Sequence, residues 1–140
     1  SWAGALNADM VLDYSLKPIK KIVETVKKQF PETPFIVFPR GVNTLYSDFS
    51  NEECFDAIAI DQFIDRKWIA NNIQPKKIIQ GNLDPIFLTQ EKEILLLELK
   101  KVTEDFKSYP YIFNLGHGIT PDAKVENVEL VLDYVKGLKF

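Results

Sequence analysis

Hydrophobic positions along the chain fall into two alternating patterns. Four short runs, Phe35–Phe38 (FIVF), Ala57–Ile60 (AIAI), Lys77–Gln80 (KIIQ) and Tyr111–Asn114 (YIFN), are near-continuously apolar and mostly β-branched or aromatic. Each is too short for a helix, and such runs read as strands buried on both faces of a parallel sheet. Between them the spacing turns helical. Leu16, Ile19, Ile22, Val23, Val26 and Phe30 form one stripe, with Pro18 in a first turn that Ser15 is placed to cap. Ile94, Leu95, Leu99, Val102 and Phe106 form a second. Val125, Val128, Leu132 and Val135 form a third, opened by Asp122 and closed near Gly137. Two shorter helices are expected over Asn43–Asn51 and Asp65–Asn72.

Strand and helix thus alternate with no repeat, low-complexity stretch or linker, so residues 1–140 read as a single segment. Alternation at these spacings predicts a parallel α/β sheet with right-handed crossovers. The pattern alone fits a doubly wound sheet and part of a (β/α)8 barrel equally. The strand ends favour the barrel. All four runs close in polar or turn-forming residues (PRGVN, DQ, GNLDP and GHG), and in barrels the loops after the strands build the active site. On that reading Arg40, Asp61, Asn82–Asp84 and His117 face one rim, joined by Ser1 if a strand ends just before it. A full barrel takes roughly 250 residues. The 140 residues here correspond to half of one, with open sheet edges that invite pairing. The chain begins at Ser1 and its sole methionine is Met10, so its start reads as a cut or processed end.

Composition narrows the class rather than the function. With 46% apolar, 12% aromatic and 26% charged residues, the chain has ordinary soluble globular values. A net charge of −3 gives no electrostatic case for nucleic acid or an acidic membrane surface. Lys17, Lys20, Lys21, Lys27 and Lys28 read as the solvated face of one amphipathic helix. No apolar run reaches the length of a membrane span, and the first residues do not read as a signal peptide. A single cysteine, Cys54, excludes an internal disulfide and any multi-cysteine metal site, and fits a reducing cytoplasm.

His117, the only histidine, lies between Gly116 and Gly118 directly after the fourth strand. Glycines there permit unusual backbone angles and close approach of a ligand. A histidine at a strand's carboxyl end can donate a hydrogen bond, or a proton, to an anionic substrate. As a metal ligand it has poor company, because zinc sites need three or four protein ligands. Asn82 and Asp84 either hold a ligand or cap the following turn, with capping the stronger reading. Arg40 can bind carboxylates bidentately, and Asp61 can act or merely cap. Ser1, in SWAG (Ser1–Gly4), suits hydrogen bonding to a ligand better than nucleophilic attack, since no general base is visible near it.

Taken together, SWAG, GNLDP and NLGHGITPDAKVENV resemble the carboxyl-terminal half of uroporphyrinogen decarboxylases, in order and spacing across nearly the whole chain. The combination GNLDP…NLGHG…P is specific to that family, whereas SWAG alone is not, and Gly41–Asn72 matches loosely. The resemblance implies the carboxyl-terminal half of a (β/α)8 TIM barrel with a cleft at the strand carboxyl ends, assembled as a homodimer. It implies a cofactor-independent lyase of haem and tetrapyrrole synthesis, which converts uroporphyrinogen to coproporphyrinogen. It also implies that Ser1 and His117 contact substrate, with His117 binding and orienting first and acting as an acid second. The family's carboxylate-gripping arginines, central aspartate and a tyrosine precede this segment, so the segment alone is expected not to decarboxylate. Neither metal nor organic cofactor is expected, and neither nucleic acid nor membrane as a partner. Two alternatives accompany this reading. One is a non-catalytic remnant or half-barrel that only associates with another chain. The other is a related zinc-dependent methyltransferase, which Cys54 is poorly placed to serve.

Overall fold

A computed structural model describes residues 2–138. Four parallel strands, β1 (Ile36–Val37), β2 (Ala57–Ala59), β3 (Ile78–Gln80) and β4 (Tyr111–Ile112), form one sheet in the order β1-β2-β3-β4. Each falls inside an expected apolar run. A doubly wound sheet reverses its strand order at a switch point, whereas a barrel adds each strand beside the last. The sequential order therefore decides for half of a (β/α)8 barrel.

Register shows which face meets the helices. Val37, Ile58, Ile79 and Tyr111 stand in one cross-strand row, the first three of them fully buried beneath helices. The opposite face is open: Ile36 is 47% exposed, Phe38 42%, Ile78 37% and Ile112 37%. The expectation of strands buried on both faces is thus met on one face only. In a closed barrel, inward-pointing side chains stack in layers against those of the strands across the axis, which is why the sequence reads as continuously apolar.

The chain enters through Asn7, whose side chain caps α1 (Ala8–Val11) by accepting from the Met10 amide at 3.0 Å. A π-helical turn, Leu12–Leu16, then runs directly into α2 (Lys17–Gln29). Ser15 consequently lies within a continuous helix and caps nothing. Pro18 lacks an amide and its ring crowds the preceding turn, and the wider π-turn just before it absorbs both defects. Val23 packs into the core, while Ile22 and Phe30 of the expected stripe are exposed.

A 3₁₀ turn (Asn43–Leu45) leads into α3 (Tyr46–Ser50), and α4 (Arg66–Asn72) follows β2, capped by Asp65 through the Trp68 amide at 2.7 Å. A second 3₁₀ segment (Pro85–Thr89) precedes α5 (Lys92–Asp105), which buries Leu95, Leu99 and Val102 and leaves Ile94 outside. Arg66 joins α4 to α5 through Glu98 at 2.8 Å and Asp105 at 2.7 Å. The last helix, α6 (Val125–Lys136), does not open at Asp122. The Lys124 amide donates to the Leu88 carbonyl at 3.0 Å, and the Asn127 side chain donates to Leu88 and Gln90 carbonyls at 2.9 and 2.8 Å. These ties set the helix start, and they turn Val131 inward while Val125 and Leu132 stay exposed.

Candidate functional site

Each strand ends in a loop that backbone hydrogen bonds lace to the next. The Gly81 amide donates to the Ile112 carbonyl at 3.1 Å, Leu83 to Asn114 at 3.2 Å, and Gly116 back to Leu83 at 2.8 Å. On the other side, the Gly4 amide donates to the Arg40 carbonyl at 2.9 Å. A Cβ on Gly4 would stand 2.5 Å from the Gly41 carbonyl oxygen, so the amino-terminal segment is pressed onto the loop after β1. Arg40, Asp61, Asn82, Asp84 and His117 therefore share one end of the sheet, as expected from the strand ends. Ser1 lies outside the described residues.

Their environments differ sharply. Asp61 is 1% exposed and works as an anchor beneath the rim. One carboxylate oxygen accepts from the Gly41 amide at 2.7 Å and the Tyr46 hydroxyl at 2.8 Å, and the other from the Phe63 amide at 2.9 Å. Tyr46 in return accepts from the Asp61 amide at 3.1 Å. Burial, reinforced by the neighbouring carboxylate charge, pushes the Tyr46 hydroxyl far above its ordinary pKa, so it remains a donor. The loops after β1 and β2 are thereby fixed to one another and to α3.

Asn82 is buried as well, and its amide donates to the Asp61 carbonyl at 2.8 Å while its own side-chain oxygen has no partner. Asp84 accepts from the Ile86 amide at 3.0 Å and so caps the turn after β3, the stronger of the two readings for it. Tyr111 ties the loop from below by donating its hydroxyl to the Gly81 carbonyl. Burial raises the Tyr111 hydroxyl pKa well above normal.

His117 is exposed at the mouth of an open hollow of about 380 Å³. The hollow is the barrel-facing side of the sheet, lined by Ile36, Phe38, Ala59, Gln80 and Asn114. It offers an apolar floor with an imidazole and two amides at its upper edge, a setting for a largely apolar ligand carrying polar groups at its margin. The glycines flanking His117 serve otherwise than expected. Positive φ occurs at Gly41 and Gly81, not at Gly116 or Gly118. Gly116 is needed for contact, since a Cβ there would lie 2.4 Å from the Gln62 amide nitrogen, whereas a Cβ on Gly118 would meet nothing within 4 Å. The tight packing of Gly116 on the loop after β2 is what places His117 over the hollow.

Arg40 stacks its guanidinium 4.8 Å from the Trp2 ring centre, and its Nε is buried without a hydrogen-bond partner. Cys54 follows α3 and precedes β2, at the end of the sheet away from His117. Among the described residues, no three His, Cys, Asp or Glu side chains converge as a metal site. Tyr46 was missed by sequence reasoning. It sits in the mixed stretch TLYSDF, and nothing local marks its hydroxyl as the partner of a carboxylate 15 positions away.

A family profile described as uroporphyrinogen decarboxylase (URO-D) matches residues 1–138. Curated proteins named uroporphyrinogen decarboxylase are similar over nearly the whole chain. That of Jannaschia sp. (strain CCS1) is 42% identical over 136 residues, covering 97% of this chain and 40% of the relative. That of Rickettsia africae (strain ESF-5) is 41% identical over 136 residues, covering 97% and 39%. That of Cereibacter sphaeroides (strain ATCC 17025 / ATH 2.4.3) is 41% identical over 138 residues, covering 98% and 40%. The chain thus spans about 40% of the length of these relatives.

Proposed function

The chain belongs to the uroporphyrinogen decarboxylase family, and from that premise we propose that it supplies one side of the substrate cleft of an enzyme that decarboxylates the four acetate arms of uroporphyrinogen III to give coproporphyrinogen III. The observation that carries this reading is the placement of His117, inside the family match and over the apolar barrel-facing hollow. Such a hollow suits a tetrapyrrole, whose pyrrole rings are largely apolar at their faces and whose acidic arms project at its edge.

Loss of carbon dioxide leaves an electron pair that needs a sink. Protonation of a pyrrole ring carbon makes the ring cationic, the pair left by the departing carboxylate flows into it, and a second proton completes the methyl group. The ring carbon then gives up the proton it gained, restoring the pyrrole with one net proton consumed. Neither metal nor organic cofactor is required, only groups that hold carboxylates, deliver a proton and stabilise the cation. His117 is assigned to an acidic arm, binding and orienting it, with proton delivery a secondary role; Ser1 is assigned a second substrate contact. The homodimer and the cytoplasmic setting belong to the same proposal.

The test is His117→Ala in an intact enzyme carrying this segment, followed by carbon dioxide release and coproporphyrinogen formation. Loss of one polar contact to a charged arm weakens turnover by about 1–3 kcal/mol, roughly 5- to 150-fold, with the fold retained. Unchanged kinetics in the folded variant remove His117 from the site. The open face with Ile36, Phe38, Ile78 and Ile112 favours one further reading, in which the segment by itself is a non-catalytic half-barrel that binds another chain through this face.

A further inference from the structure

We propose that Arg40 is a carboxylate-binding residue of the rim, gripping an acidic arm of the substrate; this rests on the tetrapyrrole reading above and adds to it a cationic contact from this side of the cleft. The chain has two arginines, and their surroundings are opposite. Arg66 is spent on structure: its Nε meets Asp105 at 2.7 Å and its Nη1 meets Glu98 at 2.8 Å, across two helices. Arg40 makes no ion pair among the described residues. Its Nε is buried and unpaired. A part-buried guanidinium that meets no acceptor is costly, and a carboxylate arriving from the cleft satisfies it with a bidentate fork on the two Nη groups, which unlike Nε are not buried.

The backbone around Arg40 is fully engaged, which makes the side chain a preorganised contact rather than a loose surface cation. Its amide donates to Phe38 at 3.1 Å and its carbonyl accepts from Gly4 at 2.9 Å. The next amide, Gly41, donates to the buried Asp61 at 2.7 Å. The guanidinium carbon lies over the Trp2 ring, 4.8 Å from its centre, a cation–π contact that helps to hold the side chain in place. Phe38, two residues earlier in the chain and directly after β1, lines the hollow beneath His117. Arg40 and His117 thus stand at the same end of the sheet, on the loops after its first and last strands.

The experiment uses an intact enzyme carrying this segment, with Arg40→Met and Arg40→Lys. Binding of the fluorescent octacarboxylate uroporphyrin I is titrated, melting temperatures are recorded, and KM and kcat are measured for uroporphyrinogen. The expected result for Arg40→Met is a dissociation constant raised about 10- to 100-fold, a KM that rises more than kcat falls, and a melting temperature no lower than the parent's. Arg40→Lys, which keeps charge but not the fork, falls between. An unchanged dissociation constant in Arg40→Met overturns the proposal. So does weaker binding accompanied by a lower melting temperature, which would make Arg40 a packing residue or the partner of an acid elsewhere in the enzyme. If the parent binds and decarboxylates while Arg40→Met matches it, this proposal alone fails. If the parent neither binds uroporphyrin nor releases carbon dioxide, the functional reading fails with it.

Discussion

Replacing Gly116 by alanine tests how the rim holds His117. A Cβ at that position would lie 2.4 Å from the Gln62 amide nitrogen and 2.9 Å from its Cα, where ordinary contact begins near 3.4 Å, so the two backbones must part by about 1 Å. Both obstructing atoms are main chain, so no side-chain rotation relieves the clash. Overpacking of this kind costs typically 1–3 kcal/mol, and the backbone contact places Gly116→Ala toward the upper end, about 2–3 kcal/mol. The Gly116 amide is also tied to the Leu83 carbonyl at 2.8 Å, so the displacement is carried along the loop to His117. A shift near 1 Å in an orienting group lowers turnover by on the order of 100-fold. Gly118→Ala is the control: a Cβ there meets nothing within 4 Å and the backbone angle is not positive. It is expected to be neutral, or more stable by up to about 1 kcal/mol through the unfolded chain. Urea unfolding midpoints and kcat/KM for carbon dioxide release, measured on both variants in an intact enzyme, read the contrast. Equal stability and equal kinetics in the two variants would refute the claim that packing on Gln62 positions the histidine.

Two further outcomes follow from one buried acid and one exposed but paired acid. Asp61→Asn replaces an acceptor of three hydrogen bonds by a group that presents N–H to other donors, and is expected to cost on the order of 2–3 kcal/mol; combined with Tyr46→Phe, the two losses should fall short of additive in a double-mutant cycle of unfolding free energies, and full additivity would disprove their coupling. At Asp56, burial opposes the charge, but the Lys27 ammonium at 2.7 Å and the Phe35 amide at 2.8 Å outweigh it and hold the carboxyl below the usual range. Its stabilising contribution is therefore complete above the unfolded pKa, near pH 4, and is lost as the pH falls through the lower folded value. Because the pair is partly exposed, the effect is under about 1 kcal/mol; Asp56→Asn should flatten the parent's stability curve between pH 3 and 5, and an identical curve would contradict the assignment.

The strands were legible because their apolar runs are short and bounded, and each run contains the paired residues. What the runs could not reveal was strand order, which rests on contacts between segments about 20 or more residues apart and which alone separates a barrel from a doubly wound sheet. The start of α2 escaped because Ser15 and Pro18 look like a helix opening, while the chain instead carries a capped helix from Asn7 through a π-turn. Asp122 misled for a related reason: a local capping signal lost to the tertiary tie between Asn127 and the Leu88–Gln90 segment. At the site, position was readable and, the cap at Asp84 apart, role was not. His117 and Arg40 stand at the strand ends as their sequence context implies. That Asp61 is a buried anchor depends on Tyr46, and that Gly116 matters for contact depends on Gln62, and neither partnership leaves a mark in local sequence.

Complementation tests the central claim, that this segment forms the carboxyl-terminal half of a uroporphyrinogen-decarboxylating barrel, most directly. The chain is expressed alone and together with the matching amino-terminal part of a relative, and carbon dioxide release, coproporphyrinogen formation and light-scattering mass are measured. Alone, the chain is expected to associate through its open sheet face and edges and to release no carbon dioxide. Together, the two parts should form one complex that yields coproporphyrinogen. A monodisperse 16.1 kDa monomer with full activity alone, or a stable complex with none, would contradict the account.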